Sequence, residues 1–577
     1  MPSPWQIQIQ ARTRAAFRRA RAILPAILLL PAAHLFAAAA QPAASPAASP
    51  SPAAEPPQQF YIREYRVLGA KHLKPVEVES AVYPFLGPGR TLEDVEQARQ
   101  ALLKAYQDKS YNSVEVVVPP QKGAGGIVFL QVNELTVGRL RVEGSRYFDI
   151  EHIKRQIPSM AEGQLIDFAQ AQKELMGLNQ LPDRRITPSV QPGVVPGTMD
   201  VDLMVKDTPP LHGSVELNNR YSTGTPALRL NGSLSYNNLW QLGHSIGGSF
   251  QLSPQNLSAP AEVDLSVSKS HSVQVSHKGS VKIYTGFYTL RFPSWDWFSL
   301  TGQFTEQDTG VSTIGALDTI GKGQIGGLHA DIRLPTLGDD YFHHFTFGLD
   351  YKHLTQNIFQ LGTLIPFGTT PTNYLPITLE YSGTRVAKGS LTDLDLQLVY
   401  NLRGIGSDST AFDETRFNAD RNFFYLRGDI ADTQDLPDDF QIFGKITGQV
   451  ADSPLIPSEQ FSIGGLDTVR GYLESSEIGD DGLVGNFEFR LPSFLGWIKG
   501  TGNECRVYGF ADGGLAYLQD TLPQQVGRFY LASFGIGSRL ELASHFNASV
   551  DIGFPVVSTP GNPAGHPFVT FRVWADF

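Results

Sequence analysis

From Leu211 to the C-terminus, apolar and polar residues alternate with a period of two. Leu228, Leu230, Gly232, Leu234 and Tyr236 alternate with Arg229, Asn231, Ser233 and Ser235. Phe345, Phe347, Leu349 and Tyr351 alternate with Thr346, Gly348, Asp350 and Lys352. In Leu394–Leu402 every even position is apolar or Tyr, and only Val399 breaks the polarity of the odd ones. Successive strand residues point to opposite faces, so each run has one apolar and one wet face. A soluble sandwich alternates in the same way. Aromatics near strand ends and a last strand with Val569, Phe571, Val573, Ala575 and Phe577 on one face favour lipid outside and polar residues inside. Residues 208–577 leave room for about 16 strands of about 10 residues. The expected fold for this part is a transmembrane antiparallel β-barrel.

Upstream the period changes. Tyr65-Arg66-Val67-Leu68-Gly69 is repeated 75 residues later as Leu140-Arg141-Val142-Glu143-Gly144. In each copy a strand ending in Gly leads to a brief helical piece and then a capped helix, with Thr91 and Asp94 in one and Asp167 and Gln170 in the other. Val95, Ala98, Leu102 and Tyr106 keep helical spacing, as do Phe168, Ala171, Leu175 and Leu178. Two strands close each copy. The pattern predicts two α+β modules of βααββ order, 60–134 and 135–207.

The first residues read as an export signal. Arg12, Arg14, Arg18, Arg19 and Arg21 precede an apolar core ending Leu28-Leu29-Leu30, and a small-residue stretch runs to Ala40. Residues 1–40 are expected to be a signal peptide, and 41–59, almost only Ala, Pro, Ser and Gln, a disordered linker. Without those arginines the chain holds 41 basic against 57 acidic residues, a balance that excludes nucleic-acid binding as its main task. Mean hydropathy is −0.15, and no apolar run past residue 40 reaches the length of a membrane helix, which leaves strands as the only spanning elements. A single cysteine, Cys505, excludes an internal disulfide.

Four stretches carry a resemblance to a known family. They are Leu178-Asn179 with Pro182-Asp183-Arg184-Arg185 and Pro196-Gly197-Thr198-Met199-Asp200; Asn218-Asn219-Arg220 with Thr223-Gly224; Val469-Arg470-Gly471-Tyr472 after Gly464-Gly465; and Phe510-Ala511-Asp512-Gly513-Gly514. In this order the chain resembles the outer-membrane transporters of two-partner secretion, the TpsB type, with two POTRA domains before a barrel. The resemblance implies a pore that takes an unfolded exoprotein (TpsA-like) from the periplasm to the cell surface. It also implies that the loop carrying Val469-Arg470-Gly471-Tyr472 folds into the barrel, where Arg470 meets Asp512 in the strand of Phe510 and Gly514. A planar guanidinium matches a carboxylate with two parallel bonds. Nothing apolar in 462–476 looks large enough to hold the loop by itself. The terminal Phe577 is expected to act as a barrel insertion signal.

The implied partners are the exoprotein, outer-membrane lipid, periplasmic chaperones and the barrel-assembly machinery, with the chain a monomer. The family's best-described members carry a pore-plugging N-terminal helix; the 41–59 tract lacks an amphipathic pattern, so no plug is expected. Two rivals stand beside this reading, a barrel insertase of the BamA/TamA type and a barrel enzyme such as a surface lipase. The second needs a nucleophile elbow or metal helix, and neither motif occurs. No catalytic residue, cofactor or metal is expected. Asp480-Asp481-Gly482 reads as a solvated turn.

Overall fold

The computed structural model describes residues 59–121, 124–179, 181–223, 225–254, 281–292, 295–314, 317–338, 340–359, 366–495, 503–523 and 525–577. The expected signal peptide, all but the last residue of the expected linker, and with them the question of a plug helix lie outside the described residues. So does Gly224 of the barrel-opening motif.

The described residues fall into two compact units, 59–209 and 210–577. In the first, each module builds a three-stranded sheet. Glu64–Leu68 pairs in parallel with Ile127–Glu134, which pairs antiparallel with Val114–Val117. Thr136–Glu143, Thr198–Asp207 and Arg184–Pro192 repeat this order. The first module adds a small ribbon, Phe60–Ile62 with Gly87–Arg90. The helix Leu92–Gln107 starts at a reciprocal cap: Thr91 accepts from the amide of Asp94, and Asp94 accepts from that of Thr91. Its buried positions are Val95, Ala98, Leu102 and Tyr106, the apolar stripe of the sequence. In the second module Asp167 caps Phe168–Leu178 through the amide of Gln170.

One local device occurs twice. Gly69 and Gly144 end the first strand of each module at φ +86° and +87°. A side chain there would collide with the carbonyl of Val132 or Val205, so both positions need glycine. The turn that follows is clamped by a carboxylate at the end of the middle strand. Glu134 accepts the amides of Lys71 (2.8 Å) and His72 (3.0 Å) and the hydroxyl of Tyr106 (2.8 Å). Asp207 likewise accepts the amides of Arg146 (2.7 Å) and Tyr147 (2.8 Å).

In the second unit sixteen strands among the described residues close an antiparallel barrel, with Pro366–Tyr374 and Pro376–Ala387 counted as one because both pair with Tyr341–Phe359. Phe304, Leu328, Leu396, Ile430, Phe487 and Phe534 are exposed on the outer wall, whereas Gln307, Gln449, Glu488 and Asp512 are buried inside. This is the arrangement of a wall bathed in lipid. An even strand number places both ends of the barrel chain at one rim. The connections 402–423 and 452–480 lie at the other. The seam joins Phe568–Asp576 to Leu211–Asn218 over the register Arg572↔Asn218 to Asp576↔Ser214. Phe577 extends it by exchanging main-chain bonds with Gly213 (3.0 and 3.2 Å). Its ring lies where a side chain at position 213 would stand.

The clamp yields a stability test. Burial pushes the pKa of Glu134 up, and the bonds from His72, Lys71 and Tyr106 outweigh it, so the net shift is below the ordinary value of 4.5. Its contribution is therefore complete above that value and is lost as pH falls through the lowered one. Glu134→Ala should cost the fragment 59–207 about 1–3 kcal/mol in urea unfolding at neutral pH. The difference should shrink towards zero in acid.

Candidate functional site

The loop 452–480 turns into the lumen. It enters and leaves as a hairpin, Phe461–Ile463 against Glu477–Gly479. Gly464 and Gly465, at φ +101° and +111°, open the turn that carries the Val-Arg-Gly-Tyr motif. Val469, Arg470 and Tyr472 are all buried. Phe461, Ile463, Val469 and Tyr472 pack with Val484, Ala516 and Leu531 of the wall. The loop is therefore held by apolar packing as well as charge, because Val469 and Tyr472 reach a wall patch that a linear reading does not reveal.

Arg470 is the centre of the contact. Its Nε and Nη2 donate to Asp512 Oδ2 and Oδ1 at 2.7 and 2.8 Å, and its amide donates to Oδ2 at 3.1 Å. Its Nη1 donates to Glu488 at 2.6 Å and lies 3.7 Å from Asp551. The guanidinium carbon stands 3.9 Å from the centre of the Phe510 ring, within cation–π range. Glu488 is shared with Arg490 (2.7 Å) and Arg539 (2.8 Å), and Tyr508 donates to Asp551 at 2.7 Å. Three cations thus face three carboxylates. Side-chain exposure is 4% for Arg470 and 0% for Asp512, so bulk water screens this pair little.

Two close approaches set the position of the tip. Gly471, at φ +87°, lies backbone to backbone against Gly553, and a side chain on either would meet the other within about van der Waals limits. A Cβ at Gly514 would stand 2.8 Å from Val469 Cγ2, whereas Gly513 faces open space. The Tyr472 hydroxyl lies 2.9 Å from the carbonyl oxygens of both Ala532 and Val557, which share its one proton. Arg220, just past the first strand, donates to Glu474 (2.7 Å) and Asp467 (2.7 Å) and holds the loop from the seam side.

The structure brings Arg470, Phe510 and Asp512 together, with Val469 and Gly514 in contact beside them, and Phe577 lies apart at the seam. Sequence reasoning missed Glu488, Asp551 and the Arg220–Glu474 pair. A signal existed for the first two: each is a charged residue at a polar position of an alternating strand, Asn486-Phe487-Glu488-Phe489-Arg490 and Val550-Asp551-Ile552. The expected solvated turn at Asp480 is also corrected. Asp480 has no exposed surface and accepts from Arg416 (2.8 Å) and from the amides of Leu455 (2.8 Å) and Gln519 (2.8 Å).

Comparison with known proteins gives the family and the overall fold. A family model described as "Haemolysin secretion/activation protein ShlB/FhaC/HecB" matches residues 197–540, and a "POTRA domain, ShlB-type" model matches residues 60–134. The outer membrane transporter CdiB of Escherichia coli is 24% identical over 535 residues, covering 90% of this chain and 82% of CdiB. The heme/hemopexin transporter protein HuxB of Haemophilus influenzae is 20% identical over 527 residues, covering 88% and 86%. The solved structure of CdiB from Escherichia coli shares the fold with a TM-score of 0.57 at 19% identity, over 100% of this chain and 99% of that one.

Two substitutions separate charge from shape. Arg470→Ala leaves Asp512 buried without its partner and should destabilise the loop's position by about 3–5 kcal/mol. Arg470→Lys should recover little, since an ammonium does not reproduce the fork. Gly471→Ala keeps every charge but strains φ and pushes against Gly553, and it should also free the loop. Limited proteolysis of the folded barrel checks all three: new cleavage within 464–476, with the barrel itself unchanged, is expected.

Proposed function

The chain belongs to the ShlB/FhaC/HecB haemolysin secretion/activation family, and from that premise we propose that its two modules take up an unfolded exoprotein which its barrel exports under the control of loop 452–480. It is an outer-membrane transporter of the two-partner secretion type, with its POTRA domains in the periplasm. The rim holding loops 402–423 and 452–480 therefore faces the cell exterior.

The observation that carries the reading is a long loop held inside the lumen around the buried Arg470, with Arg220 a second tie on the seam side. A reversible obstruction needs a contact that is strong, directional and confined to a few residues. Arg470 with Asp512 supplies direction through two parallel bonds, and Glu488 and Asp551 add attraction without adding a second attachment point.

Uptake is assigned to the modules. Arg184–Pro192, nine residues long, pairs with a neighbouring strand on one side only, and such an edge accepts an extended segment by β-augmentation. Transport then needs no catalytic residue; folding of the exoprotein outside supplies the driving force. We read the chain as a monomer delivered by periplasmic chaperones to the barrel-assembly machinery, with Phe577 as the insertion signal. The exposed ring of Phe577 on the lipid side and its main-chain pairing with Gly213 support that assignment.

Deleting 60–134 should abolish export of the partner while the barrel still reaches the outer membrane in heat-modifiable form. Normal export by that deletion would place uptake elsewhere. Removing Phe577 should lower the amount of folded barrel in the membrane, and unchanged levels would remove it as the signal.

A further inference from the structure

The wall of the lumen is not polar throughout. Near the extracellular rim Tyr374, Val399 and Tyr425 of the wall form one buried cluster with Phe412, Phe423 and Leu455 of the loops. An apolar patch in a water-filled pore must be covered, and here the cover is loop 402–423, with its helix Ser409–Thr415, together with the start of loop 452–480.

The cover fits a gap in the strand ladder. Pro366–Tyr374 pairs with Tyr341–Phe359 on one side, but on its other side the next strand stops at Asn401. Loop 402–423 takes the vacant edge. Ser407 donates its amide to the carbonyl of Asn373 (2.8 Å), and Asn373 returns its amide to the Ser407 hydroxyl (3.0 Å). Thr415 meets Thr372 at 3.1 Å between hydroxyls.

Two buried carboxylates fasten it. Glu459 accepts from Lys352 (2.6 Å), Tyr374 (2.6 Å) and Tyr425 (2.8 Å). Asp480 joins three connections at once. It takes Arg416 from loop 402–423, the amide of Leu455 and the side chain of Gln460 (3.0 Å) from the start of its own loop, and the amide of Gln519 from the connection after Glu504–Tyr517.

We propose that loop 402–423 is a cap closing the extracellular mouth over this apolar patch, and that Asp480 couples it to the loop bearing Arg470, so both must leave together for an exported chain to pass. The inference rests on the export reading. It places a second closure far in sequence from the Arg470 contact and makes Asp480 the hinge between them.

Tethering the cap tests this. In a Cys505→Ser background, Thr372→Cys with Thr415→Cys places two thiols where the present hydroxyls touch, the proximity a disulfide needs. Oxidation of the full-length protein in cells should leave the heat-modifiable barrel intact and reduce export of its partner by at least about tenfold, as a held lid does. Dithiothreitol should restore export, and the two single-cysteine variants should export as the parent does. Undiminished export by fully cross-linked protein would overturn the cap, as would a loss that reduction fails to reverse. Absence of export by the parent and the reduced forms would instead overturn the export reading.

Discussion

A guanidinium buried inside the barrel must find its counter-charge there, and the placing of loop 452–480 follows from this. Arg470 reaches Asp512 through two side-chain bonds and one amide, with Glu488 and Asp551 beside them. Removing a cation from water costs several kcal/mol, which only close, well-oriented partners offset. Direction follows from the same requirement: a fork that must meet two oxygens fixes the tip, and the fixed tip forces Gly471 onto Gly553 and Val469 onto Gly514. The charges and the glycines are thus two parts of one constraint. The neighbouring acids also mean that exchanging residues 470 and 512 would set a new Asp beside Glu488 and Asp551, so a reciprocal charge swap is a poor probe of the contact.

The loop is also tied where the barrel is thinnest in pairing. The seam ladder between the last and first strands is short, and Arg572 crosses it to Glu216 (2.9 and 3.0 Å). Asn219 takes the place of a further ladder residue, donating to the carbonyl of Val569 (2.8 Å) and accepting the amide of Phe571 (2.7 Å). Arg220, the next residue, binds Glu474, and the amide of Glu474 donates to the carbonyl of Tyr221 (3.0 Å). The loop therefore braces the seam from inside, and its tip spans from the first strand to the wall that carries Asp512.

What was legible in the sequence is what repeats or alternates. The stripe Val95, Ala98, Leu102, Tyr106 and the caps at Thr91 and Asp167 depend on neighbours a few residues away, so they can be read directly. The alternating strands are similar, since one wet and one greasy face is a property of each strand by itself. Arg470 and Asp512 were legible through motif resemblance, not through spacing. Glu488 and Asp551 could be read as lumen-facing charges but not matched to Arg470, and Glu474 could not be matched to Arg220, because these partners are 18 to 254 residues distant and only barrel closure sets them together. Asp480 was misread for the same reason: next to Asp481 and Gly482 it resembles a surface turn, and its burial is produced by Arg416, Leu455 and Gln519 from separate connections.

The central claim, that Arg470 and Asp512 jointly hold the loop in the lumen, is tested most directly by a double-mutant cycle on the loop's local opening. Hydrogen exchange of peptides covering 464–476 would be followed in the intact barrel for the parent, Arg470→Ala, Asp512→Ala and the double variant. The account predicts a coupling of about 2–3 kcal/mol, with the double variant little worse than either single one. Additive effects, with a coupling below about 0.5 kcal/mol, would contradict it.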